Sequence, residues 1–114
     1  MIIETVKLEG PTLDWAVAKA TGSPSELATK LVMDGYSPSA DWSQGGPLIE
    51  EYVTALNQSS YGGWWAHSGS HVGEAIMPLV AAMRAVVAAE LDSTVDVPEE
   101  LVPTIQDENA NIEN

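Results

Sequence analysis

Residues 78–91 read Pro-Leu-Val-Ala-Ala-Met-Arg-Ala-Val-Val-Ala-Ala-Glu-Leu, and they decide the fold class. Leu79, Val80, Met83, Val86, Val87 and Leu91 recur at three- and four-residue steps, the spacing that lines up one face of a helix. Pro78 suits the first helical position, where no N–H is needed. The opposite face is Ala81, Ala82, Ala85, Ala88 and Ala89, without a charge. An exposed helix back normally carries Lys and Glu. An all-alanine back predicts that something packs on it, either the same chain or a second subunit, and the expectation taken forward is a homo-oligomer. Arg84, the only arginine, falls at the margin of the stripe beside Val80.

Working outward, Tyr61–His67 (Tyr-Gly-Gly-Trp-Trp-Ala-His) reads as a strand that ends at Ser68-Gly69-Ser70, paired with a short strand over 53–56. Trp64 and Trp65 are adjacent, so on a strand they face opposite ways and one belongs to the core. Pro47 opens a helical turn over 48–52. Residues 28–33 are expected as a strand closed by Asp34-Gly35, although Leu27 and Leu31 also fit helical spacing. Thr12 serves as N-cap for a helix over 13–20 that stops at Gly22, with Asp14 in its first turn and Lys19 in its last. Ile2–Leu8 is a strand stopped by Gly10-Pro11. The prediction is an α+β fold: a small antiparallel sheet packed by two helices, with a long ordered loop over 35–47. Residues 1–102 form a single domain, and 103–114 an acidic disordered tail.

The length of 114 residues admits one domain, and 45% apolar residues suffice for a core. Seventeen acidic residues against four basic ones give a net charge of −13. Such a balance excludes extended nucleic acid as partner, because phosphate counterions are displaced by Lys and Arg. It also argues against anionic membranes. The charge is uneven. Residues 90–114 hold eight carboxylates and no base, a net −8, while residues 1–89 carry nine acids against Lys7, Lys19, Lys30 and Arg84, a net −5. Cysteine is absent, which removes disulfides, thiol catalysis and thiolate zinc sites. The chain begins without a basic leader and has no apolar run of 18 residues, so no signal peptide and no membrane span are expected.

Catalytic patterns are weak. His67 and His71 stand four apart with Glu74 beyond, the spacing of a helical zinc pair, yet Gly69 and Gly73 make a helix there improbable. No nucleophile elbow accompanies the neighbouring serines, and Gly45-Gly46-Pro47 is not a phosphate loop. The expectation is a protein without catalytic residues, metal or cofactor. What stands out is an aromatic, hydroxyl-rich surface: Tyr36, Trp42, Tyr61, Trp64 and Trp65 lie within 30 residues of a chain that has no Phe. Flat aromatic faces beside neutral hydrogen-bonding groups suit a planar ring such as a nucleobase. The candidate ligand site comprises Tyr36, Ser37, Ser39, Asp41, Trp42, Gln44, Gly45, Trp65 and Arg84. In it tryptophan stacks the base, Ser and Gln read its edge, and Arg84 with the Gly45-Gly46 amides meets a phosphate.

Leu13–Ala20 (Leu-Asp-Trp-Ala-Val-Ala-Lys-Ala), Tyr36–Glu50 (Tyr-Ser-Pro-Ser-Ala-Asp-Trp-Ser-Gln-Gly-Gly-Pro-Leu-Ile-Glu), Pro78–Ala89 and Val95–Leu101 (Val-Asp-Val-Pro-Glu-Glu-Leu) resemble, in order, the NinX-like family of small phage proteins. The resemblance spans roughly residues 8 to 101, and its Ser-Pro-Ser-x-Asp-Trp-x-x-Gly-Gly-Pro block is its most specific part. Two departures stand out: Met77 precedes Pro78 where the family carries a hydroxyl residue, and the glycine turn before Val95 is missing. The resemblance implies a bacteriophage or prophage origin and the host bacterial cytoplasm as location. Small phage proteins without enzyme motifs commonly act against host machinery or immunity, some by sequestering nucleotide signals. Two functions follow as expectations: a non-catalytic binder that sequesters a small nucleotide-type ligand, or an acidic inhibitor that mimics nucleic acid against a basic host protein.

Overall fold

The computed structural model describes residues 1–102, and the expected acidic tail over 103–114 lies outside them. In chain order the elements are β1 (Ile2–Glu4), a 3-10 turn (Thr5–Lys7), α1 (Gly10–Ala20), α2 (Ser25–Met33) and α3 (Trp42–Tyr52). Then come β2 (Ala55–Gln58), β3 (Trp64–Ser68), β4 (His71–Ala75), α4 (Pro78–Glu90), β5 (Thr94–Asp96) and a 3-10 turn (Glu99–Leu101). The fold is α+β. Strands β2, β3 and β4 form an antiparallel sheet in that order, and β1 pairs antiparallel with β5 as a separate ribbon, Ile3 opposite Val95.

Helix α4 is the centre of the core. Leu79, Met83, Val86 and Val87 are buried, and so are Ala81, Ala82 and Ala85 from the opposite face. The alanine back is covered by the chain's own sheet. A Cβ on Gly73 of β4 would fall onto the Ala81 carbonyl oxygen and the Ala85 nitrogen, so strand and helix meet backbone to backbone. Small residues on both sides permit that approach, and the alanines therefore give no independent reason for a second subunit. Leu91, assigned to the stripe, lies just past the helix end and is partly exposed. On β3, Ala66 and Ser68 are buried and Trp64 packs on the core, while Trp65 points to the other side.

Several local expectations are corrected. Residues 28–33 are helical, inside α2, and not a strand. Asp34-Gly35, which looked like a strand end, is the helix stop: Tyr36 N–H donates to the Leu31 carbonyl (2.9 Å) and Gly35 N–H to that of Val32 (3.1 Å). This paired closure needs a left-handed residue, and Gly35 supplies φ 103°. Helix α1 starts at Gly10, so its N-cap is Glu9 and not Thr12. Thr12 sits at the third helical position, its hydroxyl donating to the Glu9 carbonyl (2.8 Å), and Asp14 falls in the second turn, buried.

The 35–47 segment is only partly a loop. Asp41 caps α3, accepting from the Ser43 N–H at 2.9 Å, and Trp42–Tyr52 is one helix with Pro47 inside it, not at its start. Strand β2 covers 55–58, not 53–56, and β3 begins at Trp64, not Tyr61. The expected end of that strand is a tight hairpin: Gly69 (φ 61°) turns the chain into β4. Strands β4 and β5 were not expected, and β1 is three residues long because Thr5–Lys7 turns away as a 3-10 helix.

Candidate functional site

Three helices begin around one cleft of about 570 Å³. Glu9, Gly10 and Pro11 bring the start of α1, Trp42 the start of α3, and Met77, Pro78, Leu79 and Val80 the start of α4; Ser39 and Ala40 complete the wall. The ends differ in how their free N–H groups are met. Glu9 and Thr12 close a reciprocal capping box on α1, and Asp41 caps α3. Helix α4 has no side-chain cap: Met77 is extended, with an apolar side chain in the capping position. Pro78 has no N–H, and the Leu79 and Val80 amides lack an intrahelical acceptor. The helix dipole adds positive potential at that point. Trp42 is 56% exposed, an unusual state for so large an apolar side chain, and its indole forms one side of the cleft.

Ser39 is held from below. Its N–H donates to Asp14 Oδ1 at 2.9 Å, and both residues are buried. Burial raises the Asp14 carboxyl above its ordinary value, against the pull of the Ser39 hydrogen bonds. Tyr36 lies behind this pair, half-buried, its hydroxyl raised by burial and by the Asp14 charge. Gly45 packs under the same wall. A Cβ there would strike the Pro38 carbonyl oxygen and come within 2.7 Å of Leu79 Cδ2.

Of the nine residues expected in a ligand site, Ser39 and Trp42 line the cleft and the other seven do not. Ser37, Asp41 and Gln44 brace the loop among themselves. Ser37 N–H donates to Gln44 Oε1 (2.6 Å), and Gln44 Nε2 donates to Asp41 Oδ2 (3.2 Å). Gly45 cannot offer its amide to a phosphate, because that N–H donates to the Asp41 carbonyl inside α3 (2.8 Å). Trp65 stands on the far face of the sheet, tilted against His67 with ring centroids 5.0 Å apart. Arg84 is a structural tie: Nε donates to the Leu8 carbonyl and Nη1 to that of Glu74, both at 2.8 Å. Its guanidinium fastens α4 to β4 and to the chain entering α1. His67 and His71 occupy facing strands of the β3–β4 hairpin on opposite sides of the sheet, and among the described residues no group of His, Asp and Glu is arranged for a metal ion.

Glu9, Gly10, Pro11, Ala40 and residues 77–80 were not anticipated. Placing the α1 cap at Thr12 put Glu9 and Gly10 outside the helix start. The usable signals were Gly10-Pro11 and Met77-Pro78, two prolines set for the first turn of a helix, the second without a capping residue before it.

The sequence profile of a family described as Bacteriophage P22, NinX matches residues 4–90 of the chain. The matched span contains every residue that lines the cleft. A search among curated proteins finds no match. No helix among the described residues is long and apolar enough to cross a membrane.

Proposed function

The chain belongs to the bacteriophage P22 NinX family, and from that premise we propose that it is a non-catalytic binder that captures a small nucleotide-type ligand of host immunity in the cleft between α1, α3 and α4. The observation that carries this reading is the exposed Trp42 indole forming a wall of a preformed cleft of about 570 Å³. Ligand pockets typically measure about 300–1,000 Å³ and combine apolar walls with few polar groups. The base stacks on Trp42 between Met77 and the prolines, and Ser39, fixed by Asp14, reads its edge. The free amides of Leu79 and Val80 at the uncapped start of α4 receive an anionic oxygen. Arg84 has no part in this recognition, since two backbone carbonyls already hold it. With Glu9 on the rim and no Lys or Arg on the lining, the cleft favours a ligand of low negative charge, such as a cyclic nucleotide, over a triphosphate.

Calorimetry with a panel of cyclic nucleotides and ADP-ribose derivatives tests the proposal. Stacking on an aromatic side chain is worth about 1–3 kcal/mol per base. Trp42→Ala should therefore weaken binding roughly 5- to 150-fold without unfolding the protein. Absence of heat for every compound, or equal affinity in the variant, overturns it. Recovery of intact ligand after denaturation separates capture from turnover.

A further inference from the structure

A second feature, independent of the Trp42 cleft, concerns the open edge of the three-stranded sheet. Among the described residues, strand β4 (His71–Ala75) has β3 on one side only. The Glu74 carbonyl accepts Arg84 Nη1, so it faces away from β3. Residues two apart share that direction, which turns the Val72 N–H and C=O and the Glu74 N–H to the same open edge. The edge does not face bulk solvent directly. It borders a groove of about 320 Å³ whose far wall is Thr5, Val6 and Ser93, with Ala88 of α4 beneath. Val72 (46% exposed) and Val6 (68% exposed) offer apolar contact on the two sides. Sheet edges are ordinarily guarded by charged side chains, Pro or a bulge; β4 has no Lys, Pro or bulge, and Glu74 is its one acidic residue.

We infer that this groove is a strand-addition site, and that its occupant is an extended, basic peptide segment of a partner protein. Charge selects the occupant. Glu74 and Asp92 are exposed, Asp92 next to the groove through its carbonyl bond from the Thr5 hydroxyl (2.6 Å), and the chain carries −13 in all. Arg84, the only cation lining the groove among the described residues, is tied to two backbone carbonyls and balanced in charge by Glu74, which leaves Asp92 and the net −5 of residues 1–89 to set the sign of the surroundings. A second copy of this chain, and the acidic residues 103–114, bring like charge to the edge and are disfavoured. An added strand makes two main-chain bonds with Val72 and a third with the Glu74 N–H, and its alternate side chains meet Val6 and Val72.

The test uses the full chain and a blocked, fluorescent eight-residue peptide alternating Lys and Val. Anisotropy should report binding that weakens with salt, and hydrogen exchange at the Val72 and Glu74 amides should slow in the complex. Two perturbations should each reduce affinity at least tenfold: N-methylation of alternate peptide residues, which leaves the protein untouched, and Val72→Pro, which removes the edge donor at a position where an edge strand tolerates proline. An alternating Glu-Val peptide should not bind. Equal binding of the N-methylated peptide, protection elsewhere than β4, or no binding of the Lys-Val peptide overturns the inference. None of these outcomes bears on nucleotide capture, which is read with Trp42→Ala.

Discussion

Replacing Gly73 by Ala adds one methyl group where β4 and α4 meet backbone to backbone. The new Cβ would overlap the Ala81 carbonyl oxygen and the Ala85 nitrogen and lie 3.0 Å from Ala85 Cα. These are backbone atoms of α4, so no rotamer change relieves the clash and the sheet must lift from the helix. Overpacking of a core costs about 1–3 kcal/mol; a backbone-to-backbone contact belongs near the top of that range, less a few tenths for the reduced freedom of the unfolded chain. A loss of about 2–3 kcal/mol corresponds to a fall in Tm of roughly 8–24 °C for a domain near this size. Gly46→Ala is the matched control. It adds the same methyl group inside α3, where nothing beyond its chain neighbours and the helix's own backbone lies within 4 Å of the new Cβ. Helix propensity favours the change by about 0.5–1 kcal/mol, while the ring of the following Pro47 opposes a Cβ on the helical residue before it, so the net change should stay within about 1 kcal/mol of wild type. Urea unfolding followed by circular dichroism measures both. A Gly73→Ala protein within about 0.5 kcal/mol of wild type would refute the claim that the alanine face of α4 exists to admit β4.

Three further perturbations address the site. Arg84→Ala removes two hydrogen bonds from a charged donor and should cost about 2–4 kcal/mol, seen as a lower urea midpoint, while ligand affinity of the folded fraction stays unchanged. Met77→Asp supplies the missing cap to α4 and should stabilise the protein by about 1 kcal/mol; the same carboxylate competes for the amides of Leu79 and Val80, so thermal stability should rise as affinity for an anionic ligand falls. Asp14 has a folded-state value above its unfolded one, so its ionised form costs stability, which is recovered as pH falls through the folded value. In urea titrations, Asp14→Asn should therefore gain relative to wild type as pH rises from the ordinary carboxylate value near 4 through the raised one, then level off.

What the sequence made legible follows from which interactions are local. The stripe of α4 is a periodic signal over Leu79–Leu91, thirteen residues, and the helix appears in the structure over Pro78–Glu90. The stop of α1 at Gly22 rests on local closure and was equally readable: Ser23 N–H donates to the Ala18 carbonyl at 2.9 Å. Helix α2 was misread because it buries little. Ala28 alone is buried among its nine residues, so the core leaves no clear stripe in the pattern. Its tertiary anchor includes the bond from Trp15 Nε1 to the Thr29 hydroxyl (3.0 Å), which no window of sequence contains. The alanine face was recognised as covered, but its partner depended on Gly73, a residue in a strand that the pattern did not reveal.

The same division holds for the site. Trp42 and Ser39 were singled out by composition and do share a cleft, because Trp42 opens α3 and Ser39 is tied to Asp14 across 25 residues. Arg84 and Trp65 match them in chemical type alone. Arg84 is instead claimed by the Leu8 and Glu74 carbonyls, and Trp65 by strand alternation that places Trp64 inward. The charge of −13 belongs to the whole chain, while the cleft itself presents one carboxylate and the uncapped amides of α4.

Capture of a small ligand is tested most directly by what the protein carries out of a cell. The wild-type protein and Trp42→Ala are purified from bacteria with active anti-phage signalling, heated to release bound small molecules, and the supernatants compared by mass spectrometry. An intact nucleotide-type compound released in near-equal amount to wild-type protein, and lost with Trp42→Ala, is the predicted result. An empty wild-type supernatant, or the same compound at the same level from both proteins, would contradict capture by the Trp42 cleft.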